Sequence, residues 1–96
     1  MNGESFLNMA AIVCREIAID RVPILLAART RPEDDADSGW QFLCGVAEED
    51  WRTAQVWTLS EVLNYDSSLS DHLALPVGTV LRRLSANAKW KVESAG

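Results

Sequence analysis

The sequence predicts an α+β fold: one small domain built on a mostly antiparallel β-sheet with one or two short helices. Three observations carry this. The apolar residues fall in short runs cut by turn residues, not in long stretches of helical period. Trp40-Gln41-Phe42-Leu43-Cys44 puts Trp40, Phe42 and Cys44 on one face of a strand and Gln41 and Leu43 on the other. Thr58 with Glu61 three residues later reads as the capping box that opens a helix.

The chain has 96 residues, 48% of them apolar. That length suits one domain with a modest core, burying roughly 60–68% of the surface of the unfolded chain. Residues 1–8 read as a loose or helical lead-in, 9–93 as the domain and 94–96 as a tail. Met9 to Cys14 reads as a buried strand, with a helix as the alternative. Pro23 to Arg29 is a second run, and Pro23 suits the first position of a strand. Arg31 to Gly39 holds Pro, four acids, Ser and Gly, and reads as a loop. Gly45 ends the strand that begins at Trp40. Glu48-Glu49-Asp50-Trp51 is a turn or a short helix, and Gln55-Val56-Trp57 a strand. Leu59, Val62 and Leu63 supply the apolar face of the capped helix. Ser68 to Leu75 fits a second short helix with Leu69 and Leu73 inward. Pro76-Val77-Gly78 is a turn and Thr79 to Leu84 a strand. Asn87 lies in a hairpin turn before Lys89 to Glu93, which alternates as a half-exposed strand should. The helices therefore fall late in the chain.

The net charge is −5, which argues against nucleic acid as the main partner. No run of 18 apolar residues is present, so no membrane span is expected. Met1 to Ser5 lacks the basic and apolar regions of a signal peptide, and a soluble cytoplasmic protein is expected. The charge is uneven. Residues 31–72 hold ten acids against Arg31 and Arg52, a net of −8, while residues 1–30 balance and residues 73–96 return +3. Such a segment either helps solubility or steers a basic partner.

Catalytic and metal signatures are missing. There is no Gly-x-Ser-x-Gly and no P-loop. Cys14 and Cys44 each sit in an apolar run and read as buried, reduced thiols. Two cysteines do not make a zinc site alone, His72 is the only histidine, and no Cys-x-x-Cys occurs. Asp34 to Gly39 fails as a calcium loop: with Gly39 at the sixth position, Ala36 stands at the third and Gly45 at the twelfth. No catalytic residue, cofactor or metal is expected. Of the four tryptophans, Trp40, Trp57 and Trp90 fall in strand-like runs and read as packing. Trp51 follows three acids and reads either as an exposed anchor or as a loop residue packed on the sheet.

Asp37-Ser38-Gly39-Trp40-x-Phe42-x-x-Gly45 is followed by Trp57-x-Leu59, Leu63-Asn64-Tyr65-Asp66 and Pro76-Val77-Gly78-Thr79. In that order and spacing the residues resemble the bacterial immunity protein 33 family, also carried as domain of unknown function 2185. The resemblance spans roughly residues 11–93, and Asp-Ser-Gly-Trp is its most specific element. The opening fits as well, with a strand ending Val13-Cys14-Arg15-Glu16-Ile17 and Pro23 leading the next. The resemblance implies an α+β domain acting as an antitoxin against a toxin delivered by kin or neighbours, and it brings no catalytic residues. One departure stands out. Val46 to Gln55 is shorter and less acidic than the family's corresponding stretch often is.

Together these readings give a non-catalytic antitoxin whose partner is a toxin domain with a basic surface. Glu33, Asp34, Asp35, Asp37, Glu48, Glu49, Asp50 and Trp51 are its candidate contact residues. Two other classes stand beside it: a general interaction or regulatory domain, and a module binding a small ligand or a metal.

Overall fold

The computed structural model describes residues 6–45 and 51–95. Six strands form one mixed sheet: β1 (Ala10–Val13), β2 (Leu26–Arg29), β3 (Asp37–Leu43), β4 (Gln55–Thr58), β5 (Thr79–Arg82) and β6 (Lys91–Ala95). Among the described residues two short helices accompany them in full, α1 (Arg15–Ala18) and α2 (Leu59–Tyr65), with a helical pair at Phe6 and Leu7 and 3-10 turns at Trp51–Thr53 and Ser67–Leu69. The strand order is β4-β1-β3-β2-β5-β6. Four of the five pairings are antiparallel, and β1 with β3 is parallel. The α+β reading with a mostly antiparallel sheet holds.

Three particulars differ from the sequence reading. Arg15-Glu16-Ile17 does not extend the first strand: the chain turns into α1, so one helix comes early. A helix of four residues is too short to leave a periodic signal. The loop predicted to Gly39 ends sooner, because Asp37 already opens β3. The second helix expected at 68–75 is one 3-10 turn followed by hydrogen-bonded turns, in which His72 N–H donates to Leu69 and Leu75 N–H to His72.

Pairing register sorts the residues onto two faces. Across one row, Val13 pairs with Phe42, Phe42 with Ala27 and Ala27 with Leu81, and all four are buried. Ile17, Leu59, Val62, Leu69 and Leu73 join them in one core. The next row runs Val56, Ile12, Gln41, Ala28, Val80 and is half-buried or exposed throughout. The sheet thus has a packed face and a largely open one, as antiparallel sheets commonly do. No helix among the described residues is long and apolar enough to cross a membrane.

The capping box is as expected. Thr58 Oγ1 accepts from Glu61 N–H at 3.1 Å, and Glu61 Oε1 accepts from Thr58 N–H at 2.8 Å. Arg83, just past β5, is buried. Its guanidinium donates to Ile24 O, Ser68 Oγ, Ala86 O and the Asp66 carboxylate, and stacks 4.3 Å from the centroid of the Trp90 ring. One side chain thereby ties the lead into β2, the end of α2 and the β5–β6 turn.

Candidate partner-binding surface

The corner from β2 into β3 carries Glu33, Asp34, Asp35 and Asp37. Its shape is set by its own side chains. Asp37 is half-buried, and its carboxylate accepts from Glu33 N–H and Gly39 N–H, each at 2.9 Å. Asp34 Oδ1 accepts from Ala36 N–H at 2.9 Å. These are the short side-chain-to-backbone bonds that let Asp stabilise a turn. Gly39 has φ +85, and a Cβ built there would lie 2.1 Å from the Thr30 carbonyl oxygen. Only glycine fits, because Thr30 N–H also donates to Gly39 O at 2.8 Å and holds the strands together. Ser38 is buried and its hydroxyl donates to Ala10 O at 2.6 Å. Trp40 is buried, stacks on Phe42 at a centroid distance of 5.8 Å, and donates its indole N–H to Leu73 O at 2.9 Å. Asp-Ser-Gly-Trp is therefore a structural corner: each of its residues is spent on holding the fold.

What the corner presents outward is Glu33, Asp34 and Asp35, all exposed. Glu33 and Asp34 line a depression of about 390 Å³ on the open sheet face. Its floor includes Ala10, Ile12 and Val56, and its rim Glu33, Asp34 and Arg31. Val56 is 67% exposed. The arrangement is an aliphatic floor with a mainly acidic rim. It offers no nucleophile with an adjacent base. It can accept a surface that brings cations and apolar side chains together.

The second half of the predicted acidic surface is placed only in part. Glu48, Glu49 and Asp50 lie outside the described residues. Trp51 opens the 3-10 turn leading into β4. Register separates that turn from the corner. Gln55 pairs with Val13 at the far end of β1, whereas Asp37 and Thr58 pair with Ala10 at the near end. The two segments flank opposite ends of β1, about 10 Å apart along a strand of that length.

The residue pattern matches one known family, and it does so over most of the chain: the Immunity protein Imm33 domain, residues 11–93. The chain belongs to the Imm33 immunity protein family. No curated protein and no solved structure matches it. Within the Imm33 domain, the resemblance noted in the sequence runs through the corner just described.

Sequence reasoning passed over a second feature of this Imm33 domain. Arg21 sits at φ +61 and lays its guanidinium 4.5 Å from the centroid of Tyr65 and 5.9 Å from that of Trp57. Trp57 and Tyr65 meet edge to face, with centroids 5.6 Å apart. The Tyr65 hydroxyl donates to Val22 O. Burial raises the pKa of Tyr65 above 10.0, the Arg21 guanidinium opposes this, and Asp66 and Cys14 add to it. A positive φ at arginine and a contact across 44 positions leave no trace in local pattern. Trp57 and Trp90 are half-buried against the core, in keeping with packing roles.

Proposed function

We propose that this Imm33 domain is an antitoxin that binds a bacterial protein toxin and blocks it by occupation rather than by catalysis. The supporting observation is the depression on the open sheet face, where the exposed acids Glu33 and Asp34 border exposed and half-buried aliphatic residues, with exposed Asp35 next to them in the chain. An acidic rim steers a basic partner toward the surface and raises the association rate. Aliphatic contact then slows dissociation. A toxin acting on nucleic acid needs a basic cleft, and a domain seated there competes with the phosphate backbone. The 3-10 turn that Trp51 opens leads into β4 at the Val13 end of β1, so a partner touching both that turn and the corner would span the length of β1. The proposed setting is the bacterial cytoplasm, where the toxin acts.

The test is rescue. Where a large open reading frame adjoins the gene, its C-terminal domain is expressed with and without this protein. Growth only when both are present is expected. Glu33→Lys with Asp35→Lys, which leaves the Asp37 bonds in place, should slow association with that toxin about tenfold at low salt and flatten its salt dependence. A toxic neighbour that the protein fails to neutralise would overturn the antitoxin reading. Neutralisation with an unchanged on-rate in the double variant would move the interface away from the corner.

A further inference from the structure

We propose that Cys14, Glu16 and Cys44 form a site for a thiophilic divalent cation of the Zn²⁺ type. The two sulfurs and one Glu16 carboxylate oxygen all lie within 4.8 Å of one another. Both cysteines are buried, and Glu16 is half-buried. The juxtaposition follows from topology. Because β1 and β3 run parallel, their C-terminal ends meet on one edge of the sheet, and Cys14 N–H donates to Phe42 O. Cys44 follows β3 directly. Glu16 is the second residue of α1, the turn that begins as the chain leaves β1. In an antiparallel pair the two cysteines would have stood at opposite ends.

The donor set selects the ion. Two thiolates and one carboxylate are ligands that Zn²⁺ takes in tetrahedral geometry, and three protein ligands leave the fourth position to water. With Zn–S near 2.3 Å and Zn–O near 2.0 Å, tetrahedral donor atoms sit about 3.5–3.8 Å apart. The group, whose donor atoms all lie within 4.8 Å of one another, therefore has to contract by at most about 1.3 Å to close on the ion. Thiolates favour Zn²⁺ over the hard cations Mg²⁺ and Ca²⁺, which seek oxygen. The site lies at the Val13 end of β1, away from the acidic corner at the Ala10 end. It stands independently of the antitoxin reading.

Cobalt makes the site visible. The full chain, reduced and stripped of metal, is titrated with Co²⁺ and then Zn²⁺. The expected result is one equivalent of Co²⁺ giving thiolate-to-cobalt charge-transfer absorption with the d–d bands of a tetrahedral centre. Zn²⁺ should then bleach both. Zn²⁺ should also raise the melting temperature of the wild type by mass action. Cys44→Ser should abolish the charge-transfer band. Glu16→Gln is a near-isosteric change at a half-buried position and should weaken Co²⁺ binding at least tenfold with an unchanged melting temperature of the metal-free protein, so the test survives if the cysteine variant does not fold. No thiolate–cobalt absorption from fully reduced protein would overturn the proposal. A band whose affinity is unchanged in Glu16→Gln would overturn the three-residue site.

Discussion

At the scale of single residues, the strongest sequence signal and the candidate contacts separate. Asp37, Ser38, Gly39 and Trp40 are conspicuous in the sequence, yet each serves the corner: a carboxylate on two backbone N–H groups, a hydroxyl on Ala10 O, a glycine against the Thr30 carbonyl, and a buried indole. The side chains of the exposed neighbours Glu33 and Asp35 make no such contribution among the described bonds and are the ones to vary. Tyr65 yields a prediction at this scale. Its pKa is raised chiefly by burial, so the folded state holds the phenolic proton more tightly than the unfolded state. That contribution to stability is whole below pH 10 and is lost as pH rises through the folded value. Tyr65 is the only tyrosine. An absorbance titration of tyrosinate therefore reads this group alone, and its midpoint should lie above 10.0. Tyr65→Phe should flatten the alkaline fall in stability.

At the scale of elements, strands were legible and the shortest helix was not. Trp40 to Cys44 alternates, and β3 does bury Trp40 and Phe42 while leaving Gln41 half-exposed. Pro23 leads its strand from a distance: pairing begins when Leu25 N–H donates to Leu43 O, and β2 proper starts at Leu26. The strand expected from Lys89 starts at Lys91, after Trp90 has turned in to donate to Ser68 Oγ. The capping box at Thr58 and Glu61 was readable because it is a local exchange of hydrogen bonds with fixed spacing. α2 has only seven residues, too few to be stable on propensity alone, so its cap matters. Thr58→Ala should cost about 1 kcal/mol. The measurement is a denaturant midpoint that falls with an unchanged m-value.

At the scale of the whole molecule, buried polar groups join segments far apart in the chain. Arg83 belongs by sequence to the C-terminal segment of net charge +3, in the run Thr79 to Leu84 that reads as a strand. The structure buries it and surrounds it with Ile24 O, Ser68 Oγ, Ala86 O and Asp66. Truncating one partner of a buried, hydrogen-bonded ion pair leaves the other polar groups uncompensated. Arg83→Ala should therefore destabilise the fold by about 3 kcal/mol or more, read from equilibrium unfolding. Arg83→Lys should not restore it, because an ammonium cannot reproduce the fork and the stacking on Trp90. Arg82, beside it, is exposed and pairs with Glu93 at 3.1 Å on the surface, where the same change should cost little.

The sequence by itself determined the class of fold, most strand positions, the capped helix, the acidic middle and the family. Each of these is local or compositional: alternation, cap spacing, turn residues and charge are properties of neighbours along the chain. Only the tertiary structure decided that β1 runs parallel to β3, that this brings Cys14, Glu16 and Cys44 together, and that Arg83 is interior. It also decided that the acidic corner and the 3-10 turn before β4 lie at opposite ends of β1. Those facts depend on which strand lies beside which and in what direction. Long-range register sets them, and it is chosen by the burial of the whole core rather than by any short stretch of residues.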